Sequence, residues 1–251
     1  MILARISRAI REQNWFAVVL EFVIVIAGVV IGFQFAGASE RAASVQYERD
    51  LLERLHGQIL NLEEGRQYTR RWVSSKRDQL VEVRPLIFGV EDGESITSLQ
   101  CSALLESHYI ANPPDALPAL DELVSTGRME AIRNNQIREW AGNYLQIRDA
   151  ARSQIESDLA SLTSLPERFP DYFRVELIPD PEEVNDGWDR RSICDFDAMR
   201  ADGAFQMFAS INIEIYRSLL SYHFDFVGEQ LDGLHTALDA ELGHLHPELE
   251  P

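Results

Sequence analysis

The histidines and acidic residues near the C-terminal end are the side chains whose spacing could support metal chemistry. In the segment HTALDAELGHLH, Glu241, His244 and His246 lie close together, and imidazole with carboxylate is a donor set that zinc accepts. Their spacing matches no zinc signature, and solvated polar residues beyond the end of a helix are the alternative. The sequence therefore predicts no metal site and no bound cofactor.

Signatures of catalysis are absent from the sequence. It contains no G-x-S-x-G or H-E-x-x-H motif, no phosphate-binding glycine loop and no dinucleotide fingerprint. Neighbouring carboxylates such as Glu182 and Glu183 carry no signal, because the chain holds 41 acidic residues. The aromatic residues near the C-terminal end are expected in a core rather than in a ligand pocket: Phe205, Phe208, Tyr222 and Phe226. We therefore expect no enzymatic activity.

The two cysteines, Cys101 and Cys194, could be joined to each other. An even number of cysteines in an oxidising compartment indicates a disulfide, and two buried free thiols are the alternative. A bridge would close a loop of about 90 residues and would stabilise the fold by about 3–5 kcal/mol if chain entropy dominates.

The stretch NWFAVVLEFVIVIAGVVIGFQFAGA, residues 14–38, is the strongest signal in the chain. From Trp15 to Ala36 it would cover roughly 33 Å as a helix at about 1.5 Å per residue, which is enough to cross a bilayer. The apolar part of a signal peptide is shorter, although the AGA at 36–38 is similar to a cleavage site. We predict a permanent transmembrane helix over residues 15–38.

The charges before this stretch predict its orientation. Arg5, Arg8 and Arg11 precede it together with a single acidic residue, and basic residues remain on the cytoplasmic side. Residues 1–14 are therefore expected to form a cytoplasmic, interfacial amphipathic segment, and residues 39–251 a periplasmic domain. The predicted location is a bacterial inner membrane, crossed once.

One face of the predicted span carries unusual residues, namely Glu21, Gly28, Gly32 and Ala36. Glu21, Gly28 and Gly32 lie within about 40° of one another on a helix. Glycines four residues apart allow another helix to approach closely, and a carboxyl group among acyl chains costs about 2–3 kcal/mol without a partner. This face is predicted to bind another integral membrane protein or a second copy of the chain.

The net charge of −18 restricts the partners of the rest of the chain. Nearly all of this charge follows residue 38, since the residues before it hold three arginines and two glutamates. Such an acidic surface argues against nucleic acid or an anionic membrane surface as a partner. A soluble, self-repelling surface is the simplest interpretation.

A single long helix is predicted from residue 40 to about 84, ended by Pro85. Its apolar residues recur in steps of three and four and form a seam of Leu52, Leu55, Ile59, Leu62, Val73, Leu80 and Val83. Arg66, Thr69 and Lys76 interrupt this seam, so packing on neighbouring helices is favoured over a two-stranded coiled coil.

Further helices are predicted from capping residues. Ser95 or Thr97 could begin a helix that runs to about Ile110, and Pro118 begins a short helix that stops before Gly127.

The C-terminal half is predicted to hold two more long helices. Asn134 or Asn135 caps the first of them, residues 175–194 are irregular, and 204–242 is the second. The predicted fold is all-α: a single transmembrane helix that continues into an extracytoplasmic up-and-down helical bundle.

Two segments resemble an uncharacterised family of single-pass bacterial membrane proteins. They are NWFAVVLEFVIVIAGVVIGFQ in the span, which follows the pattern NWxAVxLEFxIVxxGVxIG, and LDELVSTGRMEAIRNNQIREWAGNY at 120–144. Family members usually place an Asn-Trp pair after the span, where this chain has Ala36 and Gly37. The resemblance implies a membrane-anchored helical domain of unknown activity, and it assigns no catalytic residues.

The expected function is that of a non-enzymatic accessory or structural subunit, bound through its span to a larger respiratory, photosynthetic or transport complex. The alternative is a periplasmic ligand-binding or sensory bundle. With about 13 residues on the cytoplasmic side, such a sensor would have to signal through a partner.

Overall fold

The computed structural model describes residues 15–93, 95–179 and 188–244, apart from the side chains at 15–18, 33, 35, 36 and 38. The prediction of a mostly helical chain is confirmed. The chain divides into two compact units, Met1–Leu51 and Leu52–Pro251. The predicted cytoplasmic segment 1–14 lies outside the described residues.

Helices dominate the order of elements. The α-helices are α1 (Trp15–Ile87), α2 (Ser98–Leu105), α3 (Pro118–Ser125), α4 (Asn135–Ser161), α5 (Leu165–Arg168), α6 (Phe196–Ala201), α7 (Gly203–Leu219) and α8 (Val227–Leu242). Two 3₁₀ turns cover Met129–Ala131 and Pro170–Tyr172, and a π-helical segment, Leu220–Phe226, joins α7 to α8. Strands β1 (Phe173–Pro179) and β2 (Trp188–Cys194) form an antiparallel hairpin.

The first unit consists, in its described part, of the N-terminal portion of α1. The large apolar side chains of its segment 19–31 are exposed on every side of the helix: Val19, Leu20, Phe22, Val23, Ile24, Val25, Ile26, Val29, Val30 and Ile31. Within the part of the chain that the structure describes, no helix is both long enough and apolar enough to cross a membrane. The predicted span includes side chains outside that part, with Ala36 among them.

The prediction that Pro85 ends the long helix is wrong, because α1 continues to Ile87. A proline in the last turn removes one backbone donor, and the remaining donors can still complete the helix. Two residues after Ile87 the backbone turns away from the helix axis at Gly89, whose φ of +68° suits a residue without a side chain. There the Gly89 N–H donates to the Leu86 carbonyl and the Val90 N–H to the Pro85 carbonyl, which is the Schellman pattern.

Helix α2 begins where the sequence predicts and ends earlier. The Thr97 hydroxyl accepts from the Gln100 N–H at 3.1 Å, and the Gln100 side chain accepts from the Thr97 N–H at 3.0 Å. This reciprocal capping box fixes the start of the helix. The helix ends at Leu105, so the predicted continuation to about Ile110 is wrong.

Two other predicted boundaries are confirmed. Helix α3 ends at Ser125, and Gly127 follows it with a φ of +66°. Helix α4 is capped by Asn134, whose side-chain oxygen accepts from the Gln136 N–H at 2.9 Å.

The prediction of one uninterrupted α-helix over 204–242 is wrong, because the π-helical segment lies inside it. At the end of this segment the Val227 N–H donates to the Tyr222 carbonyl, five residues back, instead of to His223. The change in register buries His223 and leaves Tyr222 and Phe226 exposed by 43% and 47%. The prediction that Tyr222 and Phe226 belong to the core is therefore wrong.

Strands β1 and β2 show that the prediction of irregular structure is wrong for residues 175–179 and 188–194, whereas 180–187 lie outside the described residues. Phe173 lies opposite Cys194 and Pro179 opposite Trp188 in the antiparallel register of this hairpin. Most of its side chains are exposed or only half-buried. A strand pair without a buried apolar face lacks the alternation that identifies strands in a sequence.

The core of the second unit confirms the predicted seam of α1, all seven residues of which are buried: Leu52, Leu55, Ile59, Leu62, Val73, Leu80 and Val83. The C-terminal part of this seam, Val73, Leu80 and Val83, packs in one cluster with residues of α7. These include Phe205, Ile213, Tyr216 and Leu219. Phe205 is fully buried and Phe208 packs against the cluster, as expected for core aromatics.

A disulfide joins Cys101 in α2 to Cys194 at the end of β2, with 5.7 Å between their Cα atoms. It connects the exposed hairpin to the helical core. Because the two cysteines are 93 residues apart, loop closure in the unfolded chain accounts for about 3–5 kcal/mol of stabilisation.

Close packing of α8 on α4 generates a first prediction. A Cβ atom on Gly233 would lie 2.6 Å from the Trp140 ring, so Gly233→Ala should lower the free energy of unfolding by about 1–3 kcal/mol. In the matched variant Gly228→Ala, on the same helix, the added methyl meets nothing within 4 Å, and a gain of up to about 1 kcal/mol is expected. Chemical unfolding of the full chain, followed by circular dichroism, measures both. Equal effects of the two substitutions would contradict the close contact.

Candidate functional site

A cluster of histidines and carboxylates lies where α1 meets α8 in the second unit. Helix α1 contributes His56 and Glu63, seven residues apart and therefore on one helix face. Helix α8 contributes His235 and Asp239, which are four residues apart. His244 follows the end of α8, after Gly243 turns the backbone with a φ of +72°. We call these five side chains, His56, Glu63, His235, Asp239 and His244, the histidine cluster.

The polar atoms of the histidine cluster converge within hydrogen-bonding range. His56 Nε2 lies 2.9 Å from Asp239 Oδ1 and 3.3 Å from His235 Nε2. His235 Nε2 lies 3.6 Å from Asp239 Oδ2, and its other nitrogen, Nδ1, lies 2.9 Å from Glu63 Oε1. The ring of His244 packs edge-on against His56, with centroids 4.7 Å apart.

Burial controls the electrostatics of this cluster. His56 is buried, and this burial lowers its pKa below the ordinary value for histidine, although Asp239 opposes the change. Burial also raises the pKa of Glu63, with His235 acting in the opposite direction. Burial thus favours the neutral imidazole of His56, and neutral imidazole is the form that binds metals.

An open cleft of about 1020 Å³ adjoins the cluster, and Glu63, His235 and Asp239 lie on its wall. Its other lining side chains carry both signs of charge and include Arg70, which donates to Asp225 at 2.8 Å. Asp232 also lines the cleft, and burial raises the pKa of its carboxyl group.

A buried arginine lies beneath the same cleft. Arg66 donates to the Pro114 carbonyl at 3.1 Å and to the His223 carbonyl, and its guanidinium lies 5.5 Å from the centre of the Phe224 ring. The His223 carbonyl can accept this bond because the Val227 N–H donates to Tyr222 in the π-helical segment. The irregular turn therefore supplies the acceptor that a buried guanidinium needs.

The site residues predicted from the sequence lie elsewhere. Glu21, Gly28 and Gly32 are exposed in the first unit, and the side chain of Ala36 is outside the described set. Cys101 and Cys194 form the disulfide.

Glu241, His244 and His246, for which the sequence predicts no metal site, are not brought together as a group within the described residues. Glu241 accepts from the Asn134 amide at 2.6 Å, and His246 lies outside the described residues. His244 instead joins His56 and Asp239, and their ligand atoms lie within 4.8 Å of one another.

Sequence reasoning missed the histidine cluster because its members are far apart in the chain. His56 and His235 are separated by 179 residues, and only folding brings them together. Two local signals were present. His56 follows Leu55 directly within the apolar seam of α1, and His235 precedes Asp239 by one helical turn.

The comparisons with known proteins give no relative. No family model, no curated protein and no solved structure matches the chain.

The burial of His223 generates a prediction about pH. Burial lowers the pKa of His223 and the Arg66 charge lowers it further, whereas a hydrogen bond to the Ala151 backbone and the charges of Asp115 and Asp158 oppose this. The folded chain takes up this proton at a lower pH than the unfolded chain. The contribution of neutral His223 to the free energy of unfolding is therefore complete above about pH 6.5 and is lost as the pH falls below it.

We therefore expect His223→Gln to weaken the decline in thermal stability between pH 7 and pH 5. Val227→Ala, a buried change nearby that removes no titratable group, should lower stability and leave the slope unchanged. Thermal unfolding across this pH range measures both slopes. A His223→Gln slope equal to that of the unchanged chain would contradict the assignment.

Proposed function

We propose that the protein is a non-enzymatic accessory subunit, held in a bacterial inner membrane by residues 15–38. Its N-terminus is cytoplasmic, and residues 39–251 form a periplasmic helical bundle. The N-terminal helix is its contact with a larger respiratory, photosynthetic or transport complex.

The exposure of the apolar side chains from Val19 to Ile31 carries this proposal. A helix that is apolar on every side is stable in a protein core or in a bilayer, and these side chains are exposed in the first unit instead of packed in a core. At about 25 cal/mol per Å² of apolar surface, ten exposed aliphatic and aromatic side chains favour strongly an environment without water. The arginines at 5, 8 and 11 support the orientation.

The face with Glu21, Gly28 and Gly32 supports a protein partner within the membrane. All three residues are exposed, and a Cβ atom on either glycine meets nothing within 4 Å. The glycines therefore leave room for a neighbouring helix, and a donor on that helix would offset the cost of placing Glu21 in the acyl region. We assign this face to a transmembrane helix of the larger complex.

The anchor is tested by extraction of membranes that contain the full chain. Alkaline carbonate releases peripheral proteins and leaves spanning proteins in the pellet. We expect the protein to stay in the pellet and to be released only by detergent, since the apolar helix remains in the bilayer. Release into the carbonate supernatant would exclude a permanent span.

The partner is tested by mild detergent extraction and mass spectrometry of what co-purifies. Gly28→Leu/Gly32→Leu fills the space for a neighbouring helix and should reduce recovery of the partner by about tenfold or more, without disturbing the fold of the chain itself. Val23→Leu/Val30→Leu, on the opposite side of the helix, is the matched control and should retain the partner.

Two results would contradict the accessory role. If the glycine variant recovers as much of a membrane complex as the unchanged chain does, the face with Glu21, Gly28 and Gly32 is not the binding surface. If the chain is recovered only as a homodimer, its partner is a second copy of the chain and not a larger complex.

A second function, ligand binding by a sensory bundle, is favoured by the cleft of about 1020 Å³ beside Arg66 and Arg70. Its size suits a small molecule. Thermal shifts with a panel of small anions and organic ligands, compared between the unchanged chain and Arg70→Gln, distinguish this role, because an accessory subunit should show no specific shift.

A further inference from the structure

We propose that His56, His235, Asp239 and His244 bind a transition-metal dication of the zinc class, with Glu63 as the residue that positions His235. This site is independent of the membrane anchor and of any partner in the membrane.

The distances between donor atoms match those of a tetrahedral centre. With metal–ligand bonds of about 2.0–2.1 Å, the ligand atoms of a tetrahedral zinc site are about 3.3 Å from one another. His56 Nε2 lies 3.3 Å from His235 Nε2 and 2.9 Å from Asp239 Oδ1, and His235 Nε2 lies 3.6 Å from the other carboxylate oxygen, Oδ2. Two imidazole nitrogens and one carboxylate thus already lie at about the separations of such a site.

Glu63 provides the second, independent observation. Its carboxylate lies 2.9 Å from His235 Nδ1, so the neutral ring that donates there presents a lone pair at Nε2. That lone pair faces both His56 Nε2 and an oxygen of Asp239. Carboxylate, imidazole and metal in this order form the arrangement that orients histidine ligands in zinc sites.

His244 supplies the fourth donor. Its ligand atom and those of His56 and Asp239 lie within 4.8 Å of one another, and His235 approaches the same two residues. Gly243 allows this approach because its positive φ turns the chain back towards α1 directly after α8. A metal here would connect α1 to the end of α8 and to the residue that follows it.

The donor set selects the class of metal. Three imidazoles and one carboxylate suit zinc and its neighbours among the divalent transition metals, whereas magnesium and calcium require mainly oxygen ligands.

The experiment is a titration of the full chain with Zn²⁺ after dialysis against a chelator, in mild detergent and without a histidine tag. We expect one Zn²⁺ per chain with a Kd of about 1 µM or tighter, a rise in Tm on binding, and no response to Mg²⁺. Co²⁺ in the same site should give the visible absorption of tetrahedral coordination.

Three variants assign the ligands. Asp239→Asn should raise the Kd for Zn²⁺ by about 100-fold or more, and Glu63→Gln by about 10–100-fold, because the latter only orients a ligand. His244→Ala removes an exposed side chain, so it should fold normally and still weaken binding. Glu241→Gln, two residues from Asp239 on the same helix, is the matched control and should change the Kd by less than about twofold.

Two outcomes would overturn the site. One is the absence of saturable Zn²⁺ binding, which would leave a hydrogen-bonded network in which a proton takes the place of the metal. The other is binding that is equally tight in Asp239→Asn and His244→Ala, which would place the ion elsewhere on the acidic surface. Circular dichroism of each variant confirms that a loss of binding is not a loss of fold.

Discussion

The buried guanidinium of Arg66 is the constraint around which the second unit is arranged. A charged group away from water is stable only if acceptors surround it, and burial lowers the pKa of this arginine without removing its need for partners. The acceptors are backbone carbonyls of Pro114 and His223, on two segments far apart in sequence. One side chain of α1 therefore fixes both the loop before α3 and the turn between α7 and α8. The Tyr144 hydroxyl strengthens the same loop by donating to the Asp115 carbonyl at 2.6 Å.

The π-helical segment transmits this constraint to the histidine cluster. An extra residue in one helical turn rotates everything that follows by about 100° around the helix axis. That rotation exposes Tyr222 and Phe226, and it sets the face that α8 presents to α1. With an uninterrupted helix, His235 and Asp239 would be turned by the same angle away from His56. The irregular turn that gives Arg66 its acceptor thus also determines which side chains meet at the cluster.

Local rules predicted those parts of the fold that local chemistry decides. The seam from Leu52 to Val83 follows from apolar periodicity, and Asn134 and Gly127 are recognisable from capping preferences. The prediction that Pro85 ends α1 was wrong because the Schellman turn at Gly89 is the stronger stop signal. The hairpin was not predicted because it has no buried face. The π-helical segment was not predicted because its His223 carbonyl is bonded to a guanidinium 157 residues away in the chain. The geometry of the histidine cluster could not be predicted from local patterns, because tertiary packing alone brings its members together.

The charge balance around the cleft explains why this site differs from its surroundings. The chain carries a net charge of −18, and five carboxylates line this single cleft: Glu63, Asp225, Glu229, Asp232 and Asp239. Burial raises the pKa of Glu63 and of Asp232, because their charged forms are less favourable there than in water. Arg66 and Arg70 line the same cleft and offset part of this negative charge, and His235 adds an imidazole to its lining. A dication held by the histidine cluster would supply the missing positive charge without a further basic side chain. Three of the six histidines, His56, His235 and His244, lie close to Asp239, and this combination of imidazoles with a carboxylate supports the proposed cation site.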